Sequence, residues 1–323
     1  MSAHSGNNMT KPIYQDKLLY PKILWQRPVH FYKSQAGKIM VLAGSKGMSG
    51  AAILTCEAVF RSGTGILVLG FPEGLKSIYK EVLPEAMTLE LPETPGHTLA
   101  KKAEDLILDN VKGCDVVIIG PGLSQNAETT QLIWELVFSI ERPIVLDADG
   151  ITAFAKGIEV MREHENEAFM TEYLTKRPNE LIITPHPGEA AKLCTALKLD
   201  KKYTNKYVDE HKDEIATILA DKLACTVVLK GYHTVIATNT GDAIITRVGG
   251  PELATAGSGD VLSGIIGSFV GQNPEKHLEA IATAVFLHAK AGELAKEKVG
   301  ERSVIASDII RYLPIIIKEL ENA

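Results

Sequence analysis

One stretch of the chain combines small residues, a single carboxylate and the start of an apolar helix. Residues 249–271 read GGPELATAGSGDVLSGIIGSFVG, and the apolar residues after Asp260 recur at helical spacing. This spacing predicts a helix from about Ser258 to Gly271. The amides of Gly257, Ser258 and Gly259 would lie at the positive end of its dipole, with no side-chain bulk to keep an anion away. The stretch therefore predicts an anion hole.

Asp260 would lie beside any anion bound at that helix end. Stabilising a phosphate while charge shifts onto a leaving group is the central requirement of phosphoryl transfer. A carboxylate in this place is useful as the base that takes the proton from an attacking hydroxyl. The alternative, an acidic residue that only complements the helix dipole, accounts for Asp260 but not for the glycines around it. We therefore predict that Asp260 is a catalytic base.

A histidine lies between two prolines in the motif TPHPGE, residues 184–189. Pro185 and Pro187 each have a fixed φ angle, so they would present the imidazole of His186 to a ligand. Glu189 would lie in the first turn of a helix. There its carboxylate either complements the dipole or acts as an outer ligand to a metal ion held by phosphates. We predict ligand contact for His186 and leave both roles open for Glu189.

The motif VVLKGYHTVIA ends one apolar run and begins the next. Lys230 could bind a phosphate, although lysines are common at strand ends. Gly231 would allow a sharp corner there, because it has no side chain. The corner would leave Tyr232, His233 and Thr234 available to a nucleotide.

Three more motifs follow apolar runs: LAGSKGMSGAA at 42–52, IIGPGLS at 118–124 and VLDADG at 145–150. The first is neither a P-loop nor a dinucleotide fingerprint. It is either a tight turn or a place where a ligand approaches the backbone at Ala51. The second contains Gly122 in a sharp turn. In the third, Asp147 or Asp149 could contact a ligand or cap the next helix, and we favour capping for Asp149.

The elements that must position these motifs are short runs rich in Val and Ile, alternating with helical patterns. Several runs are apolar on both faces, which suits a sheet covered by helices on each side. We predict a three-layer α/β fold with a central, mostly parallel sheet, and a binding crevice at the strand ends. Residues 226–248 lack a helix, which predicts an antiparallel hairpin with its turn at 239–242. The predicted strands are Ile39–Ala43, Gly65–Gly70, Asp115–Ile119, Ile144–Asp147, Leu181–Thr184, Thr226–Lys230, Thr234–Thr238 and Ala243–Val248.

The domain organisation predicted from these patterns is a single domain at 36–323, preceded by an arm at 1–35. The arm alternates polar and aromatic residues, so we expect it to pack on a neighbour or to remain partly disordered. Residues 156–177 are highly charged and predict a solvated surface helix inserted between core elements. Leu278–Lys296 and Ala306–Leu320 predict helices whose apolar faces belong either to the core or to an interface.

Composition restricts the class of protein. The chain has 323 residues, of which 45% are hydrophobic and 23% charged, with a formal net charge of −6. An acidic chain of this kind argues against a nucleic-acid-binding protein. No run of 18 apolar residues predicts a membrane span, and the four scattered cysteines form no metal motif. We expect a cytoplasmic protein that binds neither membrane nor nucleic acid.

Taken together, the motifs resemble a known family. GSKGMSGAA, GPGLS, VLDADG, TPHPGE, KGYHTVI and GSGD occur in this order over roughly residues 37–313. This set resembles the ATP- or ADP-dependent NAD(P)H-hydrate dehydratases of the ribokinase-like superfamily. The resemblance implies a ribokinase-like fold and a metabolite-repair activity. Such an enzyme phosphorylates the ring hydroxyl of the (6S) hydrate of NADH or NADPH and eliminates phosphate to restore the nicotinamide.

The resemblance also implies site residues and partners. The hydrate would contact Ala51, Gly122, His186 and Asp260, with Asp260 as the base. The nucleotide would contact Lys230, Gly231, Tyr232, His233, Thr234 and Gly259. Mg²⁺ would bridge the phosphates, the TPHPGE form favours ADP over ATP, and the protein would be a homo-oligomer, a tetramer by analogy, linked to a separate NAD(P)H-hydrate epimerase. Two departures from the family pattern are Tyr32-Lys33-Ser34 for His-Lys-Gly and Ser258 for threonine.

Two other functions fit parts of the pattern. One is a kinase of the same superfamily acting on a small alcohol such as a hydroxymethylpyrimidine or a thiazole. Those kinases typically have cysteine at the position of Asp260 and lack TPHPGE. The other is a non-catalytic nucleotide sensor on the same fold, which would bind nucleotide without turnover.

Overall fold

The computed structural model describes residues 11–199 and 203–321. They form a sheet of ten strands with helices on both faces. The strands are β1 (Ile13–Gln15), β2 (Lys38–Leu42), β3 (Ile66–Pro72), β4 (Met87–Leu91), β5 (Val116–Ile119), β6 (Ile144–Leu146), β7 (Leu181–Ile183), β8 (Thr226–Leu229), β9 (Thr234–Ala237) and β10 (Ala243–Thr246). The α-helices are α1 (Ser49–Arg61), α2 (Lys76–Val82), α3 (Glu104–Val111), α4 (Ala127–Ser139), α5 (Asp149–His164), α6 (Glu167–Thr175), α7 (Pro187–Ala196), α8 (Asn205–Glu210), α9 (Lys212–Leu223), α10 (Ser258–Gln272), α11 (His277–Val299) and α12 (Ala306–Glu321).

The sheet is mostly parallel, with strand order β1-β10-β9-β8-β7-β6-β5-β2-β3-β4. Strand β9 is antiparallel to both β8 and β10, and the other neighbouring strands are parallel. Successive residues of a strand point to opposite faces. Leu42 and Leu146 accordingly join one buried apolar cluster, whereas Val41 and Val145 join the cluster on the other face. The predicted three-layer α/β fold is confirmed.

The eight predicted strands all occur, with ends that differ by one or two residues. The antiparallel hairpin is also confirmed, because β9 and β10 pair with a turn between them. Within the turn, the N–H of Gly241 donates to the carbonyl of Thr238 at 3.1 Å. Two edge strands, β1 and β4, were not predicted. Both carry exposed or half-buried residues, so they lack the continuous apolar run of a central strand.

The segment predicted as an N-terminal arm packs, from residue 13, on the sheet of its own chain. β1 pairs in parallel with β10, and Ile23 and Leu24 are buried in the core. Residues 1–10 of the predicted arm lie outside the described residues. The expectation that this segment packs on a neighbour or lacks order is therefore wrong for residues 13–24. Its pairing with β10, which would otherwise be an edge strand, and the burial of its apolar side chains stabilise it on its own chain. The domain boundary at 36 stays a prediction.

The charged segment 156–177 differs from the single surface helix that was predicted. It contains the second half of α5 and all of α6. Met170 and Leu174 in α6 are buried, so the segment covers the core as well as facing solvent. Arg177 ends it by donating to the carbonyls of Leu223 and Ala224 at 2.7 and 3.0 Å. These last-turn carbonyls of α9 have no partner within their helix, which gives the charged residue a structural role.

The apolar faces of α11 and α12 belong to the core. Ile281 in α11 and Ile309, Leu313 and Ile316 in α12 all join the buried cluster that packs against α10. No helix in the described parts of the chain has both the length and the apolar character that crossing a bilayer requires.

Candidate active site

Two cavities meet at the first turn of α10. The first has a volume of about 740 Å³ and is lined by apolar side chains such as Val248, Leu253 and Val285. The second has a volume of about 550 Å³ and is lined by the loops and helix starts that follow β2, β5, β6 and β7, and by the N-terminal end of α10. Ser258 faces the first cavity, and the side chain of His186 borders both. The crevice thus lies where the parallel strands end, as expected for an open α/β sheet.

Apart from His186, which borders both cavities, the two predicted sets of residues fall in different cavities. The set expected to contact a nucleotide lines the first cavity: Lys230, Gly231, Tyr232, His233, Thr234 and Gly259. The set expected to contact the hydrate lines the second: Ala51, Gly122, His186 and Asp260. The motifs that carry them are up to about 200 residues apart in the chain, and the sheet brings them to one edge. The roles of these residues remain predictions.

Ala51 and Gly122 form one wall of the second cavity. Gly122 has φ +63°, and a Cβ added to it would lie 2.7 Å from the carbonyl oxygen of Met48 and 3.0 Å from the Cβ of Ala51. The hydroxyl of Ser45 donates to the carbonyl of Gly122 at 2.7 Å. Larger side chains at Ala51 or Gly122 would therefore displace this wall.

The N-terminus of α10 has the geometry of an anion site, with one difference from the prediction. Gly257 has φ +85°, and its carbonyl accepts the N–H of Val261 at 3.0 Å, the first bond of the helix. The N–H of Ser258 donates to the carbonyl of Thr255 at 3.3 Å. That amide is therefore engaged in the turn, and Gly257 and Gly259 supply the amides that the helix leaves for an anion.

The side chain of His288, in α11, contacts Ser258 in this turn. Its Nε2 lies 3.0 Å from the carbonyl oxygen of Ser258 and 3.2 Å from the hydroxyl. A carbonyl only accepts hydrogen bonds, so Nε2 carries the proton and donates it. Burial lowers the pKa of His288 to about 4, which keeps the ring neutral. The sequence did not point to His288, because it lies in the middle of an apolar helix 30 residues away.

Lys230, which lines the first cavity, forms an ion pair with Asp147 beside Gly259 in the first turn of α10. Nζ of Lys230 lies 2.7 Å from Oδ1 of Asp147, whose side chain is 1% exposed. Burial alone would lower the pKa of the Lys230 ammonium, but Asp147, Glu189 and Asp260 outweigh it and raise the pKa. The pair was not predicted, since 83 residues separate its members.

Asp260 lies at the boundary with the second cavity in an environment that favours its neutral form. Burial, with the nearby charges of Asp147 and Asp149, raises the pKa of Asp260 to about 7, although Lys230 opposes the shift. A carboxyl group with a pKa near the working pH is suited to accept a proton. Burial likewise raises the pKa of Glu189 to about 7.

The TPHPGE motif forms a capping box at the start of α7. Nδ1 of His186 accepts the N–H groups of Gly188 and Glu189 at 2.9 and 3.4 Å, and Oε2 of Glu189 accepts the N–H of His186 at 2.8 Å. Pro187 is the first helical residue, where its missing N–H costs nothing. The Nδ1 atom of His186 thus caps α7, while the ring still borders both cavities. Burial lowers the pKa of His186, which favours the neutral ring.

The capping role expected for Asp149 is wrong. The residue that caps α5 is Ala148, which makes no side-chain capping bond. The carboxylate of Asp149 instead accepts the N–H of Ser124 at 2.9 Å, because it turns back toward the loop after β5. Asp149 lines the second cavity together with Lys192, the cation of that cavity.

The donor set for a metal ion is sparse. Among the described residues, no group of three or more His, Cys, Asp or Glu side chains is placed to hold a metal. Mg²⁺ commonly uses one or two carboxylates together with waters and substrate phosphates. The carboxylates beside the anion site fit an ion of that kind, and phosphates would have to supply the remaining ligands.

Comparison with known proteins shows which family the chain belongs to. A family model described as NAD(P)H-hydrate dehydratase matches residues 39–315. The chain belongs to this family. It is 36% identical over 299 residues to a bifunctional NAD(P)H-hydrate repair enzyme of Moorella thermoacetica, covering 92% of this chain and 52% of that one. The chain spans about half the length of the bifunctional relatives it matches.

A relative of similar length and two solved structures also resemble the chain. An ADP-dependent (S)-NAD(P)H-hydrate dehydratase of Lactococcus lactis is 29% identical, covering 93% of this chain and 96% of that one. The Bacillus subtilis ADP/ATP-dependent NAD(P)H-hydrate dehydratase, co-crystallised with ATP and Mg²⁺, superposes with a TM-score of 0.74 at 26% identity over 97% of this chain and all of that one. A ribokinase-like superfamily protein of Enterococcus faecalis gives a TM-score of 0.69 at 26% identity, covering 96% and 97%. The fold is ribokinase-like.

Proposed function

We propose that the protein is a nucleotide-dependent dehydratase that converts the (6S) hydrates of NADH and NADPH back to the reduced nucleotides. One observation carries the proposal: two cavities meet at a helix N-terminus with a carboxyl group, Asp260, beside it. A donor nucleotide in the first cavity and a hydroxyl-bearing substrate in the second would both reach this turn. Membership of the dehydratase family supports the same assignment.

In the first step, Asp260 accepts the proton of the ring hydroxyl while the hydroxyl oxygen attacks the terminal phosphorus of the nucleotide. The bond from that phosphorus to the bridging oxygen breaks, and the shortened nucleotide leaves. Lys230 and the amides of Gly257 and Gly259 would stabilise the charge on the phosphoryl oxygens. His186, at the border of both cavities, would orient the two substrates.

The second step is an elimination, for which phosphate is a far better leaving group than hydroxide. The lone pair of the ring nitrogen expels phosphate as the carbon–oxygen bond breaks. The expelled phosphate would then accept a proton from the neighbouring ring carbon, which restores the dihydronicotinamide. Ala51 and Gly122 would hold the ring without contributing charge, because neither residue has an ionisable side chain.

We propose that Mg²⁺ accompanies the nucleotide and neutralises phosphate charge. Its ligands would be mainly phosphates and waters, with Glu189 able to contribute through water. The relative co-crystallised with ATP and Mg²⁺ supports this part of the proposal.

We propose a cytoplasmic homo-oligomer, a tetramer by analogy, that works with a separate epimerase supplying the (6S) hydrate. The bifunctional relatives support that link through their name as repair enzymes. Light scattering on purified protein tests the tetramer, which requires four times the chain mass of 35.0 kDa. The name of the Lactococcus lactis relative favours ADP as the donor.

The test is an incubation of purified protein with NADH hydrate, Mg²⁺ and either ATP or ADP, followed by reduced-nicotinamide absorbance. We expect nucleotide-dependent recovery, and the better nucleotide identifies the donor. Asp260→Asn should bind nucleotide with unchanged affinity and lose turnover by at least about 100-fold, because the base is gone.

The other outcomes separate the alternatives. Phosphorylation of a pyrimidine or thiazole alcohol with no recovery from the hydrate would replace the dehydratase by a kinase. Nucleotide binding with no turnover of any substrate would indicate a sensor. Equal turnover by wild type and Asp260→Asn would remove Asp260 from the mechanism.

A further inference from the structure

One buried carboxylate at the centre of the site has no role in the steps above. Asp147 follows β6 and is 1% exposed. Its Oδ1 lies 2.7 Å from Nζ of Lys230, while Oδ2 is buried and contacts no hydrogen-bond partner among the described residues. A half-paired buried carboxylate is costly to keep. Its presence beneath a predicted anion site therefore indicates a function other than stability.

The ion pair lies directly against the turn that would bind the phosphate. A Cβ added to Gly259 would be 3.1 Å from Nζ of Lys230 and 3.9 Å from Oδ2 of Asp147. The absence of a side chain at Gly259 thus leaves the ammonium open to the anion site. Lys230 follows β8 and Asp147 follows β6, so the contact joins the two strands on either side of β7.

Other carboxylates surround the same ammonium and compete for it. Asp260 on α10 and Glu189 on α7 both act on Lys230, and Asp149 at the start of α5 acts on Asp260. Asp147 is the carboxylate that the ammonium contacts at hydrogen-bond distance. Without Asp147, Glu189 and Asp260 would be the carboxylates left to attract the ammonium away from its present position.

We propose that Asp147 is a positioning residue that holds the Lys230 ammonium at the junction of the two cavities, facing the phosphoryl group in transfer. The inference rests on the proposed function for its catalytic consequence. The contact itself also predicts an effect on nucleotide binding, which needs no turnover. Asp147 acts through Lys230 and touches neither substrate.

The experiment compares wild type, Asp147→Asn, Lys230→Met and the double variant. Turnover with NADH hydrate is one readout, and calorimetric affinity for ATP relative to AMP is the other. Each single variant should lose roughly 10- to 100-fold in kcat, because the ammonium is lost or displaced. Both should also lose part of the preference for ATP. The double variant should lose no more than Lys230→Met, since the two residues act as one unit.

Asp308→Asn is the matched control, because Asp308 is another buried aspartate and pairs with Arg311 at 3.1 Å outside both cavities. It should keep wild-type turnover. If Asp147→Asn does not fold by thermal unfolding and circular dichroism, Asp147→Glu replaces it. That variant keeps the charge, displaces the ammonium and should lose turnover in the same way.

Two results would overturn the inference: additive losses in the double variant, or unchanged turnover and ATP preference in Asp147→Asn. A failure of the proposed function would give a different result from a failure of this inference. In that case the wild type leaves the hydrate unchanged, while the preference for ATP over AMP still falls in both single variants.

Discussion

At the scale of single residues, the site depends on how a few buried charges share one lysine. Asp147 and Lys230 form the contact pair, and Asp260 is left with a pKa of about 7. A carboxyl group with that pKa is half ionised near neutral pH, and it takes up a proton from a substrate hydroxyl more readily than an ordinary aspartate. The distribution of charge therefore sets the pH range in which the proposed base can work.

A pH profile tests this distribution. The proposed base must be ionised, so kcat/KM should rise with pH through a midpoint near 7, about three units above that of an ordinary aspartate. Asp260 and Glu189 both have a pKa of about 7. Glu189→Gln separates them, because glutamine keeps the capping box but cannot titrate. The acid limb should persist in this variant, and its disappearance would assign the titration to Glu189.

The residues of the site could be predicted from the sequence, whereas most of the contacts between them could not. The motifs placed His186 and Lys230 at strand ends and Asp260 at a helix start, and the structure brings them to one crevice. The role of His186 as a helix cap was missed although the H-x-x-E spacing of HPGE matches that of a capping box. The contacts of Asp147 and His288 depend on distant segments, which no local pattern reports.

At the scale of elements, hydrogen bonds hold strand β1 against β10, the strand that precedes a loop of the first cavity. The hydroxyl of Thr246 donates to Oε1 of the fully buried Gln15 at 2.8 Å, and the N–H of Arg247 donates to the carbonyl of Gln15 at 2.9 Å. The guanidinium of Arg247 lies 3.6 Å above the ring of Tyr14. β10 continues from here to the loop of Gly249 and Gly250, which lines the cavity.

Replacing Gln15 tests the contribution of this edge. Gln15→Ala leaves the buried hydroxyl of Thr246 without its acceptor, so we expect a loss of about 1–3 kcal/mol in the free energy of unfolding. Denaturant unfolding monitored by circular dichroism measures it. The neighbouring Tyr14 side chain is half exposed, and Tyr14→Phe is the matched control, which should change stability by less than about 0.5 kcal/mol. Equal effects of the two changes would contradict the pairing.

The central strands could be predicted from sequence because burial on both faces makes their residues continuously apolar. Strands β1 and β4 could not, since their pattern is half polar and their pairing is decided by the neighbouring strand. The same holds for residues 156–177, where burial of Met170 and Leu174 follows from packing against elements far away in the chain.

At the scale of the whole molecule, α10 joins the fold to the site. Its buried face packs against α1 and α11 and against the central strands, while its first turn lies between the cavities. Ligands that bind at this turn contact the first residues of a helix that is buried over most of its length. Their binding energy should therefore appear as stability of the entire fold.

A thermal-shift measurement tests this coupling. ATP at 100 times its Kd should add about 2.7 kcal/mol to the free energy of unfolding. For a chain of this size, the midpoint should rise by several degrees. Inorganic phosphate at equal ionic strength is the control and should give a smaller rise. No shift with either ATP or ADP would argue against a nucleotide site in the first cavity.

The meeting of two cavities at the proposed base predicts a slow loss of nucleotide when the substrate is absent. When the second cavity holds solvent instead of hydrate, a water molecule can occupy the position of the attacking hydroxyl in front of Asp260. We expect purified protein to consume ATP or ADP slowly in the absence of hydrate, releasing inorganic phosphate. A saturating, non-reactive analogue of the hydrate should suppress this leak by excluding the water. The hydrate would then have two effects. It would be the proposed substrate, and it would also prevent hydrolysis of the nucleotide by keeping water away from Asp260.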